Sequence, residues 1–280
     1  MTVKRRFIQC DVFTGVPTKG NALAVVVDGE GLSTQQMQDF ARWTNLAETT
    51  FISHPDGADA DYRVRIFTPG REMPFAGHPT LGSCMAWLHA GGKPADATKV
   101  RQQCAIGVVD IDLSRGMPAF AAPVTHVLKT DEAERMHIQA QLNIDPSSVL
   151  NFVKLDNGPT WKVFELASAS EVLNVDSSKV TWTDFGPIGL FGKADEGSAH
   201  DYEVRMLAPS SGMSEDPITG SLNAAIAMWL QSEDRLPDYL VVAQGRNIAR
   251  QGRVVIQTEQ DGSVWIGGEV HIVVEGEVSL

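Results

Sequence analysis

The chain has 280 residues, three cysteines and a formal net charge of −12. This length can hold two domains with adequate cores, and the negative charge argues against nucleic acid or an anionic membrane as a partner, because both require a basic surface. Three scattered cysteines suit neither a disulfide framework nor a Cys-x-x-Cys metal site, so the composition predicts a reducing, cytoplasmic location.

The first predicted elements are two strands, at residues 6–13 and 22–27, followed by an amphipathic helix. Asn21 precedes the second strand and is interpreted as a turn residue. Ser33 is expected to cap the helix through a capping box with Gln36, because the two stand three positions apart before an apolar face. No apolar run resembles a signal peptide or reaches membrane-spanning length.

Glu48 is out of pattern, because it lies between the apolar end of a helix and a β-prone run at residues 49–53. If its carboxylate is partly buried, desolvation would raise its pKa toward the range useful for proton transfer. The alternative is a solvent-exposed glutamate just after the end of a helix. Hydrophobic periodicity alone favours this alternative.

A strand, a polar loop and an apolar helix follow in residues 65–88, which read RIFTPGREMPFAGHPTLGSCMAWL. The first N–H groups of such a helix have no partner within it and favour an anion at the loop. Gly77 would let a ligand approach the backbone, and Pro79 suits the first helical turn. The motif therefore predicts a site for a carboxylate or phosphate.

The same pattern recurs about 140 residues later by direct count, in residues 205–230, which read RMLAPSSGMSEDPITGSLNAAIAMWL. Both copies begin with Arg-x-x-x-Pro and end with Trp-Leu. The repetition predicts two similar halves, each supplying a helix N-terminus to grip one end of a small anion. Chance similarity of two common strand–turn–helix units is the alternative.

The second half otherwise reads as strands and one further helix. Thr130 is expected to cap a helix that extends to about residue 142, and Asn223 is the polar exception in the apolar helix of the second copy. Residues 116–123 form the best candidate for a crossing between the halves. The remaining predicted strands are 149–155, 161–167, 188–192, 202–207, 240–243, 253–258, 264–266 and 270–274.

The polar residues at Glu48 and in the two strand–loop–helix motifs limit which reactions the protein could catalyse. Ser221, His78 and Asp216 could form a nucleophilic triad, but no G-x-S-x-G elbow is present. His78 has no second His or Cys at metal-ligand spacing, and the phosphate-loop and dinucleotide motifs are absent. Acid–base proton transfer on a substrate held by helix ends is therefore favoured.

Six segments together resemble one family. They read DVFT, GNALAV, NLAETTF, FTPGREMPFAGHPTLG, SEDPITGS and QG, and begin at residues 11, 20, 45, 67, 214 and 244. In this order they resemble the phenazine-biosynthesis PhzF-like isomerases over nearly the whole chain.

That resemblance implies the diaminopimelate epimerase-like fold, an α+β architecture of two similar domains that each curl a mixed sheet around a central helix. The expected domains are residues 1–117 plus about 266–280, and 118–265, with the active site in the cleft between them. A homodimer without a cofactor is also implied, and the histidine and cysteine spacing by itself predicts no metal site.

Carried over residue by residue, the resemblance implies catalytic roles for Glu48, His78 and Asp216. It implies substrate binding by Gly77, Thr219, Gly220 and Ser221. The implied reaction moves a proton within a small, cyclic carboxylic acid by Glu acid–base catalysis, in the manner of a trans-2,3-dihydro-3-hydroxyanthranilate isomerase.

Three alternatives are a non-catalytic small-carboxylate-binding protein, an epimerase or racemase, and a serine hydrolase. The related epimerases use two cysteines at helix N-termini, whereas Cys84 lies well inside its helix. A two-thiol racemase is therefore disfavoured.

Overall fold

A computed structural model describes residues 3–57, 59–179, 186–208 and 214–280. The chain forms two compact units, Met1–Ala121 with Gly267–Leu280, and Ala122–Ile266. In the described ranges, no helix combines the length and apolar character needed to cross a bilayer.

The first unit is a mixed sheet curled around helix α2 (Gly77–His89), with the shorter helix α1 (Thr34–Thr44) packed against β3 and β4. Its strands are β1 (Lys4–Val12), β2 (Asn21–Val26), β3 (Glu48–Ser53), β4 (Tyr62–Phe67), β5 (Glu72–Met73), β6 (Lys99–Cys104), β7 (Gly107–Asp112), β8 (Ala119–Ala121) and β18 (Val270–Ser279).

These strands pair in the order β18–β1–β2–β3–β4–β6–β7–β8, with β5 paired to the end of β4. The pairs β2–β3 and β4–β6 are parallel and the others are antiparallel. Helix α2 contacts strands from both ends of this order, β18 and β8, as well as β1, β2, β3 and β6. The sheet therefore wraps around an apolar helix whose faces are nearly all buried.

The second unit repeats this arrangement around helix α5 (Gly220–Ser232). The strand order β9–β10–β11–β12–β13–β15–β16 is parallel at β11–β12 and β13–β15 and antiparallel elsewhere. Its elements are β9 (His126–Leu128), α3 (Glu132–Gln141), β10 (Val149–Asp156), β11 (Thr160–Leu166), α4 (Ala169–Asn174), β12 (Ile188–Lys193), β13 (Tyr202–Leu207), β14 (Glu215–Asp216), β15 (Tyr239–Gln244), β16 (Gly252–Thr258) and β17 (Val264–Gly267).

The predicted α+β architecture of two similar curled sheets is confirmed, and the sequence repeat has a structural counterpart. In each unit a strand (β4 or β13) leads through a two-residue strand (β5 or β14) into the central helix. Pro209, which helped to define the repeat, lies outside the described residues.

Local capping signals were mostly correct. Ser33 Oγ accepts from the N–H of Gln36 at 3.3 Å and Gln36 Oε1 accepts from the N–H of Ser33 at 3.0 Å, which completes the predicted capping box. Asp131 caps α3, not Thr130 as predicted, because the Asp131 carboxylate accepts from the N–H groups of the first turn.

An arginine–glutamate pair occupies the same place in both units. Arg65 Nε and Nη2 lie 2.7 Å from the two oxygens of Glu72, and Arg205 Nε and Nη2 lie 3.1 and 2.7 Å from those of Glu215. Each pair joins the long strand of the repeat to the short strand before the central helix.

The two pairs differ in burial. The side chains of Arg65 and Glu72 are 23% and 38% exposed, whereas those of Arg205 and Glu215 are 1% and 0% exposed. Arg205 Nη1 also donates to the carbonyl oxygen of Val172 in α4 at 3.0 Å. Arg205 therefore holds β13, β14 and α4 together inside the second unit.

We expect Arg205→Ala to cost about 3–5 kcal/mol of unfolding free energy, because it leaves the Glu215 carboxylate buried without its cation. The matched variant Arg65→Ala should cost about 1 kcal/mol, since water can solvate the partly exposed Glu72. Urea unfolding followed by circular dichroism measures both values. Equal losses would contradict this account of the two pairs.

Candidate active site

Helix α2 begins at Gly77, directly after the extended residue Ala76. Ala76 has no polar side-chain atom with which to cap the helix, and the first bond within the helix runs from the N–H of Thr80 to the carbonyl of Ala76 at 3.2 Å. The N–H groups of Gly77 and His78 therefore precede the hydrogen-bonded turns, and the positive end of the helix dipole lies beside them.

Close packing at Gly82 sets the position of this helix. A β-carbon at Gly82 would lie 2.5 Å from Leu23 Cδ2 and 3.0 Å from Val12 Cγ2. A side chain at position 82 would require Leu23 and Val12 to shift, or α2 to move away from β1 and β2. His78 lies four residues earlier and so on the same helix face, toward these strands.

The parallel strands β2 and β3 begin at the same edge of the sheet. Asn21 is the first residue of β2, Glu48 is the first residue of β3, and Leu23 is the register partner of Glu48. Because side chains alternate along a strand and register partners share a face, Asn21, Leu23 and Glu48 point to the face that contacts α2. The sequence predicted only a turn role for Asn21, although a polar residue at the start of an apolar strand is a signal for a site residue.

Glu48 and His78 meet at this edge, with Nε2 of His78 3.3 Å from Oε2 of Glu48. The ring nitrogen Nδ1 of His78 lies 3.4 Å from Nδ2 of Asn21. The side chain of Glu48 is 17% exposed and that of His78 is 6% exposed. Burial lowers the pKa of His78 to about 3, so the imidazole is neutral at physiological pH.

Asp216 and Thr219 form a second group, at the N-terminus of α5 in the second unit. Thr219 is the N-cap residue, and its hydroxyl is hydrogen-bonded to Asp216 Oδ2. Gln244 Nε2 donates to this hydroxyl at 3.0 Å. The hydroxyl proton is therefore directed to Asp216 Oδ2, which accepts it.

Gln244 organises this second group. Its Oε1 accepts from the backbone N–H of Thr219 at 3.1 Å and from Nδ2 of Asn223 at 3.0 Å, and its side chain is fully buried. In the sequence, Gln244 appeared only within the resemblance and Asn223 only as a polar exception. Both residues form hydrogen bonds at the start of α5 because the end of β15 lies next to this helix. The distance between them along the sequence does not reveal that contact.

Gly220 and Ser221 occupy the first two positions of α5. The carbonyl of Ser221 accepts from Nδ2 of Asn157 at 2.8 Å. The sequence-predicted residues thus fall into two groups. Glu48, Gly77 and His78 meet in the first unit, and Asp216, Thr219, Gly220 and Ser221 meet in the second.

Residues 10–276 match the family model described as "Phenazine biosynthesis-like protein". The chain belongs to this family, PhzC-PhzF. It is 33% identical to antisense-enhancing sequence 1 of Schizosaccharomyces pombe, with 97% of each chain covered. It is 29% identical to the trans-2,3-dihydro-3-hydroxyanthranilate isomerase of Pseudomonas aeruginosa, with 98% of this chain and 99% of the relative covered.

The fold agrees with this assignment. The crystal structure of a PhzF-family phenazine biosynthesis protein from Bacillus anthracis superimposes with a TM-score of 0.83 at 21% identity, with 99% of each chain covered. Because the chain belongs to this family and its curated relatives are named isomerases, the protein is an isomerase of the PhzF family.

We expect Gln244→Met to cost about 2–4 kcal/mol of unfolding free energy, because it leaves the N–H of Thr219 and one N–H of the Asn223 amide buried without an acceptor; the other Asn223 bond, from Nδ2 to the carbonyl of Thr219 at 2.9 Å, remains. Gln35→Met, at an exposed position of α1, is the control and should change the unfolding free energy by less than about 0.5 kcal/mol. Chemical denaturation of the two variants checks the difference, and similar values for both would argue against the role of Gln244.

The neutral state of His78 should make stability depend on pH. The folded pKa of about 3 lies below the unfolded value of about 6.5, so the unfolded chain binds the extra proton. This stability is complete above about pH 6.5 and falls as the pH decreases, by about 2 kcal/mol at pH 5. His78→Gln should remove this part of the pH dependence, as measured by unfolding at pH 7.5 and pH 5. Parallel profiles for the variant and the wild type would refute it.

Proposed function

We propose that this PhzF-family isomerase works without a cofactor and moves a proton within a small, cyclic carboxylic acid, with Glu48 as the acid–base group. The observation that supports this most directly is the contact of Glu48 Oε2 with the neutral His78 imidazole at 3.3 Å. The carboxylate is partly exposed beside a helix N-terminus, so a substrate can reach it while its anionic end stays near helical N–H groups.

In the proposed reaction the Glu48 carboxylate removes a proton from a ring carbon, and the C–H electron pair enters the conjugated system. The Glu48 carboxylic acid then returns that proton to another carbon. No atom or electron is gained or lost, so the step needs no redox partner. Because the pKa of His78 is about 3, this ring serves as a neutral hydrogen-bond donor and not as a second acid.

Gly77 and His78 are proposed to bind the negative charge that develops on the substrate, through their backbone N–H groups at the start of α2. Asp216, Thr219, Gly220 and Ser221 are proposed to bind further polar groups of the substrate. The directed hydrogen bonds from Gln244 to Thr219 and from Thr219 to Asp216 support this assignment, since they keep Asp216 an acceptor.

A substrate of the trans-2,3-dihydro-3-hydroxyanthranilate type is proposed from the name of the P. aeruginosa relative. A racemase with thiol bases has less support, because burial raises the pKa values of Cys10 and Cys84 to about 12. Both thiols therefore stay protonated and poorly nucleophilic at neutral pH.

Two expectations about the intact protein stay proposals. We infer a homodimer from the family resemblance and a reducing, cytoplasmic setting from the three free cysteines. Light scattering coupled to size exclusion measures the molar mass in solution, and a single-chain mass would exclude the dimer.

The decisive experiment is proton exchange in deuterated water. The protein is incubated with trans-2,3-dihydro-3-hydroxyanthranilate and a panel of small cyclic and amino-acid carboxylates, and deuterium uptake is followed by mass spectrometry. We expect uptake into at least one compound, and a decrease of at least about 100-fold in Glu48→Gln, because the amide cannot accept the proton.

Glu277→Gln is the matched control, since this side chain is 60% exposed, and its uptake should equal that of the wild type. Binding of the compound to Glu48→Gln is measured in parallel by calorimetry. Full exchange in Glu48→Gln would exclude the proposed acid–base role. Binding without exchange in the wild type would favour a non-catalytic carboxylate-binding protein.

A further inference from the structure

Asn21 is a buried polar side chain that the proposed reaction does not use. It is 1% exposed, and its Nδ2 lies 3.4 Å from Nδ1 of His78. His78 in turn has its other ring nitrogen, Nε2, 3.3 Å from Glu48 Oε2. Asn21, His78 and Glu48 therefore form a chain of three polar side chains at the edge where β2, β3 and α2 meet.

The chemistry of a neutral imidazole makes the order of this chain informative. Such a ring has one N–H group and one lone pair, and a hydrogen bond to one nitrogen decides where the proton is. The NH₂ group of Asn21 only donates, so it requires the lone pair on Nδ1. The single proton is then on Nε2, where it faces the Glu48 carboxylate.

The opposite arrangement is unfavourable at this site. If the amide oxygen of Asn21 faced Nδ1, the proton would be on Nδ1 and the lone pair of Nε2 would face a carboxylate oxygen. Two acceptors would then lie 3.3 Å apart at the edge of a desolvated site, which is repulsive. Asn21 and Glu48 thus select the same tautomer from opposite sides of the ring.

The backbone around Asn21 is firmly held. Asn21 is the register partner of Val12 in the β1–β2 pair, and the N–H of Gly20 donates to Asp11 Oδ2 at 2.9 Å. A β-carbon at Gly20 would lie 2.3 Å from the carbonyl oxygen of Val12. The residue before Asn21 must therefore be glycine, and this close turn sets the point at which the amide enters the site.

We propose that Asn21 is a positioning residue of this isomerase, which holds His78 in its Nε2–H tautomer so that the ring donates toward Glu48. The N–H dipole beside the Glu48 carboxylate, at an N···O distance of 3.3 Å, favours the charged form of Glu48, which is the form that removes a proton. The effect on turnover rests on the proposed role of Glu48, whereas the tautomer does not depend on it.

The first test is the tautomer in the wild-type protein. The protein is labelled with ¹⁵N-histidine, and long-range ¹H–¹⁵N correlation spectra at pH 7.5 distinguish the two tautomers from each other and from imidazolium. The signals of His78 are those lost in His78→Gln among the seven histidines. We expect the Nε2–H pattern, and an Nδ1–H pattern in the wild type would overturn the inference.

The second test is Asn21→Asp, which keeps the size of the side chain but replaces its donor with acceptors. We expect His78 to change to the Nδ1–H or the imidazolium form, because a carboxylate at position 21 requires a proton on Nδ1. In the Nδ1–H form His78 no longer has a donor facing Glu48, and in the imidazolium form the ring carries a positive charge. In either case kcat should fall at least tenfold while KM changes less, as for other residues that orient a reactive group.

Asn21→Ser is the second variant, in case the new carboxylate disturbs folding. Its hydroxyl is shorter and both donates and accepts, so His78 should show a mixture of tautomers and an intermediate kcat. An unchanged Nε2–H pattern in both variants would show that Asn21 does not set the tautomer. A changed tautomer with unchanged kcat would exclude a positioning role in the reaction.

These outcomes are separate from failure of the proposed function. Deuterium exchange that persists in Glu48→Gln would remove Glu48 as the acid–base group, yet the tautomer of His78 in the wild type and in the Asn21 variants would still be measurable. Conversely, loss of exchange in Glu48→Gln together with an Nδ1–H tautomer in the wild type would leave the proposed function intact and overturn the role of Asn21.

Discussion

The close burial of an apolar helix inside each curled sheet is the constraint on which the rest of the structure depends. In the first unit, Gly82 brings α2 against Leu23 and Val12, and this contact determines where the helix N-terminus lies relative to the first residues of β2 and β3. The same burial lowers the pKa of His78 to about 3, so the ring next to Glu48 is neutral. Packing therefore determines both the position of these polar groups and the neutral state of His78.

The two units use one plan with different side chains. Residues 72–78 and 215–221 both read Glu-x-Pro-x-x-Gly-x, with the glycine at the first position of the central helix. The first glutamate pairs with the arginine of the preceding strand in each unit. After the glycine, one unit has His78 beside a carboxylate and the other has Ser221. The residues that the two copies share form the start of each central helix. The residues that differ between the copies determine which chemical groups lie there.

The sequence was most informative where a local rule applies. The Ser33–Gln36 capping box and the strand–turn–helix repeat follow from short-range patterns, the α+β class follows from the family resemblance, and the structure agrees with each. Local rules were less reliable where two adjacent residues compete, as Thr130 and Asp131 do for the start of α3. The burial of the Arg205–Glu215 pair was not predictable, because Arg65 and Glu72 have the same pattern but remain partly exposed.

By itself, the sequence determined the family, the repeated architecture and the identity of the residues at the N-termini of the central helices. Sequence motifs and hydrophobic periodicity are sufficient to predict these features. Only the tertiary structure decided which polar residues meet. Asn21, Glu48 and His78 come from three separate segments, and their 3.3 and 3.4 Å separations arise from strand pairing and helix packing. Gln244 reaches Thr219 and Asn223 across more than twenty positions of the chain. Hydrogen-bond direction and desolvation depend on distances of this kind, and a linear pattern does not contain them.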